Sequence, residues 1–358
     1  WLESFCWGLK KTVVTNFLKE VGVRIMATIL IVLYGFKIIS LENFIILFSI
    51  SYLPPVLVLL YILLKSGEWK FSFTRISSVT RRLKSRMINF GLFVFGTQFF
   101  HVLSRTNDTF LIFGIKGLAE TAVFAIASYA IAVLEIPQRS LNAISTPVLA
   151  ESWKNNDLVN IEHVYRKSVS NLLLIGLGLF GLIFLNIHNL SAFLGTGYEN
   201  ISLIVFIMGM AKVLDLGTGI NSTIIGTSNY WKFDFYTNIT YTLFSIPLNF
   251  VLIKAYGLEG LAFSMLLSMT LYNLVRYLFL YKKFGLQPYT AKAPLALVLA
   301  IAIYLLIFQI PQAFNIYLDT LIRTSAFLIL FVPVMYKAKI APDLNDILDN
   351  ALKRIFKA

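Results

Sequence analysis

Pairs of opposite charge, three or four residues apart, punctuate an otherwise apolar chain: Glu20 with Arg24, Arg105 with Asp108, Glu135 with Arg139, Lys212 with Asp215, and Asp319 with Arg323. At that spacing two side chains meet on one helix face. An arginine fork can donate paired hydrogen bonds to a phosphate. A carboxylate can hold the cation while the site is empty, or bind a coupling H+ or Na+. A plainer reading stays open beside this one, in which each pair neutralises itself and staples helices together. For Arg276 and Arg323, near the ends of apolar runs, the expectation is that the side chains reach out to lipid headgroups.

The charged residues extend into polar stripes at helical spacing. Thr97, His101, Ser104, Arg105 and Asp108 form one stripe, and Glu135, Arg139, Asn142 and Ser145 another. Lys212, Asp215, Thr218, Gly219 and Ser222 form a third, and Ser264, Ser268, Tyr272 and Arg276 a fourth. A charge at the centre of a bilayer costs at least about 2.5 kcal/mol, so such faces turn toward a shared interior. The candidate substrate-binding residues are Arg105, Arg139, Lys212, Arg24, Arg276 and Asn221, and the coupling or charge-pairing residues are Asp108, Asp215, Glu135 and Glu20. Gly209, Gly217, Gly219 and Gly226 either bend their span or let another helix come close.

Composition shows what must position these groups. Of 358 residues, 58% are hydrophobic and 14% charged, with mean hydropathy +0.76, so the bilayer is the solvent for most of the surface. Cys6 is the only cysteine and the three histidines are scattered, which excludes an intrachain disulfide and a cysteine-based metal site. No catalytic or metal residues are expected. The abrupt start at Trp1 suggests a chain that begins inside or just after a membrane helix.

About ten apolar runs are long enough to cross about 30 Å of hydrocarbon. They cover roughly 13–36, 42–64, 88–114, 118–149, 168–187, 200–226, 231–254, 258–281, 291–310 and 316–336. The fourth should kink at Pro137. The segment 65–87 carries Lys65, Lys70, Arg75, Arg81, Arg82, Lys84 and Arg86 against Glu68. Placing it in the cytoplasm puts most other basic loops and the C-terminal tail there by alternation. The net charge of +13 then reflects topology and anionic lipid rather than nucleic acid. Residues 342–358 read as an amphipathic helix on the membrane surface, or as a solvated tail. Tyr34-Gly35 and Tyr256-Gly257 each precede a span, a faint sign of an internal repeat. Loops this short leave no room for an extramembrane catalytic domain, so an enzyme is not expected.

The segments LEIPQRSLNAISTPVLAESWKNND (134–157), TGINSTIIGTSNYWKFDFY (218–236) and NFVLIKAYGLEGLAFSMLLS (249–268) resemble those of Wzx-type oligosaccharide flippases. These polysaccharide biosynthesis proteins belong to the multidrug/oligosaccharidyl-lipid/polysaccharide exporter superfamily. The similarity covers nearly the whole chain, and Lys254 departs from it where a proline usually precedes Tyr-Gly. The resemblance implies an all-α, polytopic transmembrane bundle of about twelve to fourteen spans in two lobes related by a pseudo-twofold. On that pattern 1–64 holds the last two spans of an incomplete N-terminal lobe and 65–87 is a basic cytoplasmic linker. A six-span C-terminal lobe covers 88–285, two extra spans 286–336, and the cytoplasmic tail 337–358. Asp108 falls where the family commonly carries an acid.

The implied activity is translocation of a polyprenyl-pyrophosphate-linked glycan across the bacterial cytoplasmic membrane by alternating access. Partners would be that glycan and membrane lipids, with polysaccharide polymerase and glycosyltransferases nearby. The alternatives are a cation-coupled multidrug exporter of the same superfamily and, from another class, a membrane glycosyltransferase or polysaccharide polymerase.

Overall fold

The computed structural model describes residues 2–9, 11–67, 78–312 and 315–355, and within its helices the side chains of Thr12, Glu20, Val79, Thr97, His101, Ser104, Arg105 and several tail residues also lie outside the described set. Among the described residues every regular element is helical. By length and hydropathy, four of these helices can cross a membrane, or up to six if each bent pair counts as one span. The chain divides into two compact units, residues 1–86 with 143–148, and residues 87–142 with 149–358.

The first unit contains α1 (Leu2–Gly8), α2 (Thr12–Phe17), α3 (Val23–Gly35), α4 (Leu41–Ile50) and α5 (Leu53–Lys65). A π-helical turn, Leu18–Gly22, joins α2 to α3. Cys6 and Leu63 are fully buried where α1 packs on α5. Lys19 pairs with Glu3 at 3.0 Å. After Gly35 the chain turns through Lys37 at φ 57°, and Ser40 caps α4 by accepting from the Asn43 amide at 3.3 Å. The Leu41–Lys65 span is apolar on all sides and only 6% buried, the surface expected of a helix that lipid surrounds.

α6 (Ser78–Lys116) runs into the second unit. There follow α7 (Leu118–Ala132), α8 (Glu135–Lys154), α9 (Leu158–Leu185), α10 (Ile187–Leu194), α11 (Ile201–Gly217) and α12 (Asn221–Thr227). α13 (Trp231–Phe284), α14 (Lys292–Phe308), α15 (Ile316–Lys337) and α16 (Pro342–Ile355) complete the chain. One apolar core centres on α9, whose Leu172, Leu177 and Phe180 pack with Leu216 of α11, Ala300 and Ile303 of α14, and Phe327 of α15. A second joins Ile112, α7, α11 and Leu261 of α13. Gly209 faces the Phe180 ring so closely that a Cβ would collide with it.

α13 is a hairpin of two helical legs. At Gly257 the backbone takes φ 66°, ψ −146°, a conformation open in practice only to glycine. The two legs then run antiparallel: Asn249 meets Ser264, Asn238 meets Tyr272, and Asp234 meets Arg276. The Tyr256-Gly257 pair is thus the whole turn between the two expected runs.

The fourth expected run does bend, by 45° between α7 and α8, but the break is at Val133–Leu134 and not at Pro137. Pro137 is the third residue of α8. The first-turn N–H groups have no helical partner, so proline costs nothing there and helps to start the helix. The sixth run breaks by 45° between α11 and α12, where Gly219 takes φ 69°. A side chain at Gly219 would also strike Ser168 and Val169 of α9.

Candidate functional site

A broken helix leaves backbone groups and polar side chains at a depth where lipid cannot satisfy them, so protein must enclose them. In the second unit the α7–α8 and α11–α12 breaks both supply residues to one buried polar network.

Its hub is Asp215, in the last turn of α11. Oδ2 accepts from Lys212 Nζ at 2.8 Å and from Gln138 Nε2 at 3.1 Å, and Oδ1 accepts from Asn273 Nδ2 at 3.0 Å. Lys212 Nζ also donates to Gln138 Oε1 at 2.8 Å, which closes a triangle. Gln138 sits in the first turn of α8, and Asn273 on the second leg of α13. Past the break, Asn221 Nδ2 donates to Asn273 Oδ1 at 2.9 Å, and Thr218 Oγ1 lies 2.9 Å from the same oxygen. The Lys212 and Asp215 side chains each keep 11% exposure, so the pair is buried but not sealed.

One turn further along the second leg, Arg276 pairs with Asp234 of the first leg. Its Nε donates to Thr237 Oγ1 at 3.3 Å, and its guanidinium lies 3.9 Å from the centre of the Tyr272 ring. Ser222 of α12 donates to Asp234 at 3.0 Å, which ties this pair to the α11–α12 break. Arg276 is 2% exposed, so it does not reach out to headgroups. Asp234, across the hairpin, holds it inside. Ser264 and Ser268 on the same face are buried as well.

Asp108 of α6 accepts from Asn249 Nδ2 at 2.6 Å, and Ser264 donates to the Asn249 carbonyl oxygen. Arg105, the neighbour expected to neutralise Asp108, lies outside the described side chains.

Arg323 also stays inside, at 6% exposure. Its Nε meets Asp319 Oδ2 at 2.7 Å, and Nη2 donates to the Ile310 carbonyl at 2.8 Å. Asn189 of α10 donates to Asp319 at 2.8 Å. The guanidinium binds carbonyls of the last turn of α14 and just beyond it, a favourable place for a cation.

The structure therefore brings together Lys212, Asp215 and Asn221, with Arg276 a turn away. Arg139 pairs with Glu135 at 3.5 Å, with its side chain 43% exposed. Arg24 is exposed in the first unit, and Glu20 lies outside the described side chains. Gln138, Asn273, Asp234 and Asn249 were not anticipated. Asn273 stands three residues before Arg276, and Asp234 interrupts the aromatic run at the start of a span, signals that were available.

The arrangement can hold an ammonium between a carboxylate and an amide and present it to an anion. An ammonium has three donors, and Asp215 and Gln138 take two. No protein-family model, curated protein or solved structure matches the chain.

Proposed function

We propose that the chain is a flippase that moves a polyprenyl-pyrophosphate-linked oligosaccharide across the bacterial cytoplasmic membrane for surface polysaccharide synthesis. The observation that carries the reading is the Lys212–Asp215–Gln138 triangle at the meeting of two broken spans. Broken helices around buried charge are the usual construction of a transporter's binding site. The resemblance of 134–157, 218–236 and 249–268 to Wzx-type flippases supports the same reading. In it, about ten crossings belong to a two-lobe fold, the basic segment 65–87 and the C-terminus face the cytoplasm, and alternating access exposes the site to each side in turn.

Lys212, with Arg139 and Arg105, would hold the pyrophosphate, and Asp215 would hold Lys212 between cycles. Outward movement of two uncompensated negative charges is favoured by about 4.6 kcal/mol per 100 mV of inside-negative potential, so a coupling H+ or Na+ is an option rather than a requirement. The test is surface-glycan display in cells that carry Lys212→Ala or Arg139→Ala as the only copy. The expected result is loss of display with lipid-linked glycan accumulating inside. Full display from both variants overturns the reading, and altered drug resistance in its place points to the multidrug exporter.

A further inference from the structure

The second leg of α13 turns one face away from the polar network. Val275, Leu278, Phe279 and Lys282 recur on that face at three- and four-residue spacing. With Lys283 and Phe233 of the first leg they line an open groove of about 360 Å³. Phe233 and Phe279, both half-buried in its lining, stack with centroids 3.9 Å apart and planes 14° apart. Val275 and Leu278, at 48% and 38% exposure, form an apolar wall. Asn273, Arg276 and Leu280 are buried on the other face of the leg, so the groove is distinct from the network.

Lys282 and Lys283 stand exposed where the leg ends, and among the described residues neither meets a carboxylate. The acid nearest along the first leg, Asp234, is already engaged by Arg276 and Ser222. Lys283 Nζ lies 5.1 Å from the centre of the Tyr230 ring, and Lys232 adds another cation at the same end of the hairpin. Here a shallow aromatic-lined groove leads to two cations that meet no carboxylate among the described residues. From Val275 to Lys282 is about 10 Å along the helix, within the roughly 15 Å of one leaflet's hydrocarbon. Cations at a membrane surface attract anionic headgroups.

We infer that this groove binds one anionic phospholipid of the surrounding bilayer, with an acyl chain on the Phe233–Phe279 pair and the phosphate at Lys282 and Lys283. The site does not depend on the flippase reading, since it requires only that α13 crosses a membrane.

The experiment is native mass spectrometry of the purified full chain in detergent with equimolar phosphatidylglycerol and phosphatidylcholine. Phosphatidylglycerol should be retained preferentially. Lys282→Gln with Lys283→Gln should weaken its retention by about 25-fold, the worth of two surface cations, and leave phosphatidylcholine unchanged. The Lys282→Arg, Lys283→Arg pair should keep it. Val275→Trp, which fills the slot and spares both lysines, should lower retention of both lipids. The inference is overturned by absence of a phosphatidylglycerol preference, or by an equal loss from Lys337→Gln with Lys339→Gln. Displacement by a polyprenyl phosphate at concentrations where phosphatidylglycerol does not compete also overturns it, because the groove would then belong to the cargo. Should the glutamine pair fail to fold, unchanged retention in Val275→Trp overturns it alone.

Discussion

Lys212 and Arg323 each pair with an aspartate on their own helix, and the two neighbourhoods use that pairing differently. Arg323 is surrounded by fixed acceptors: Asp319 on its own helix, and the Ile307 and Ile310 carbonyls at the end of another. Its Asp319 partner is held in turn by Asn189. Lys212 meets only side chains, Asp215 and Gln138, and no backbone acceptor is among its hydrogen bonds in the described residues. The first pair ties together α10, α14 and α15. The second sits where two spans are already interrupted, with part of its surface open. An ion pair anchored on backbone carbonyls fastens helices, whereas one held by side chains alone at a break keeps an ammonium close to the surface it leaves open.

The largest effect should come from breaking the fastener. Asp319→Ala leaves Arg323 buried without its counter-charge, which costs about 3–5 kcal/mol. Chemical unfolding of the purified chain should show it, and Asp319→Leu with Arg323→Met should recover part of the loss. Next comes Lys212→Met, which also strips a buried carboxylate of its counter-charge but leaves Asp215 the Gln138 and Asn273 donors, so the cost should fall at the low end of that range, about 3 kcal/mol. This variant should abolish glycan display while keeping a cooperative unfolding transition. Equal stability losses at Asp319 and Lys212 would erase the contrast.

The smallest effect belongs to a third pair, Lys167 of α9 with Asp343 of α16, 2.8 Å apart and with 47% and 36% exposed side chains. Such a pair is worth about 0.2–1 kcal/mol. Lys167 beside it, with help from Asn171, holds the Asp343 carboxyl below its ordinary 3.8. Its contribution is therefore whole above pH 3.8 and is lost as pH falls through the lowered value in the folded chain. The carboxyl carbon shift of Asp343, followed by NMR, should titrate below 3.8 in the wild type and move back toward it in Lys167→Met.

The Glu135–Arg139, Lys212–Asp215 and Asp319–Arg323 pairs were legible because three- and four-residue spacing alone puts their members in reach. The Gly217–Gly219 weakness was legible for the same local reason. Gln138 and Asn273 were not, since their meeting with Asp215 depends on how three helices are rotated, which no single segment records. The snorkelling expected of Arg276 and Arg323 failed because each found an acid and further acceptors inside before it needed water. Pro137 misled in a different way, because its residue type suggests a kink while its position in a first helical turn removes the cause of one.

The cap that Arg323 places past α14 also bears on how the chain enters a membrane. α14 has 17 residues and spans about 25 Å, less than the roughly 30 Å of hydrocarbon. Released alone from the insertion machinery, it would leave its last carbonyls short of the interface with no donor, at several kcal/mol each. The donor arrives only with α15. Residues 292–337 should therefore enter a membrane as a pair, and α14 separated from α15 should insert less efficiently than the two together.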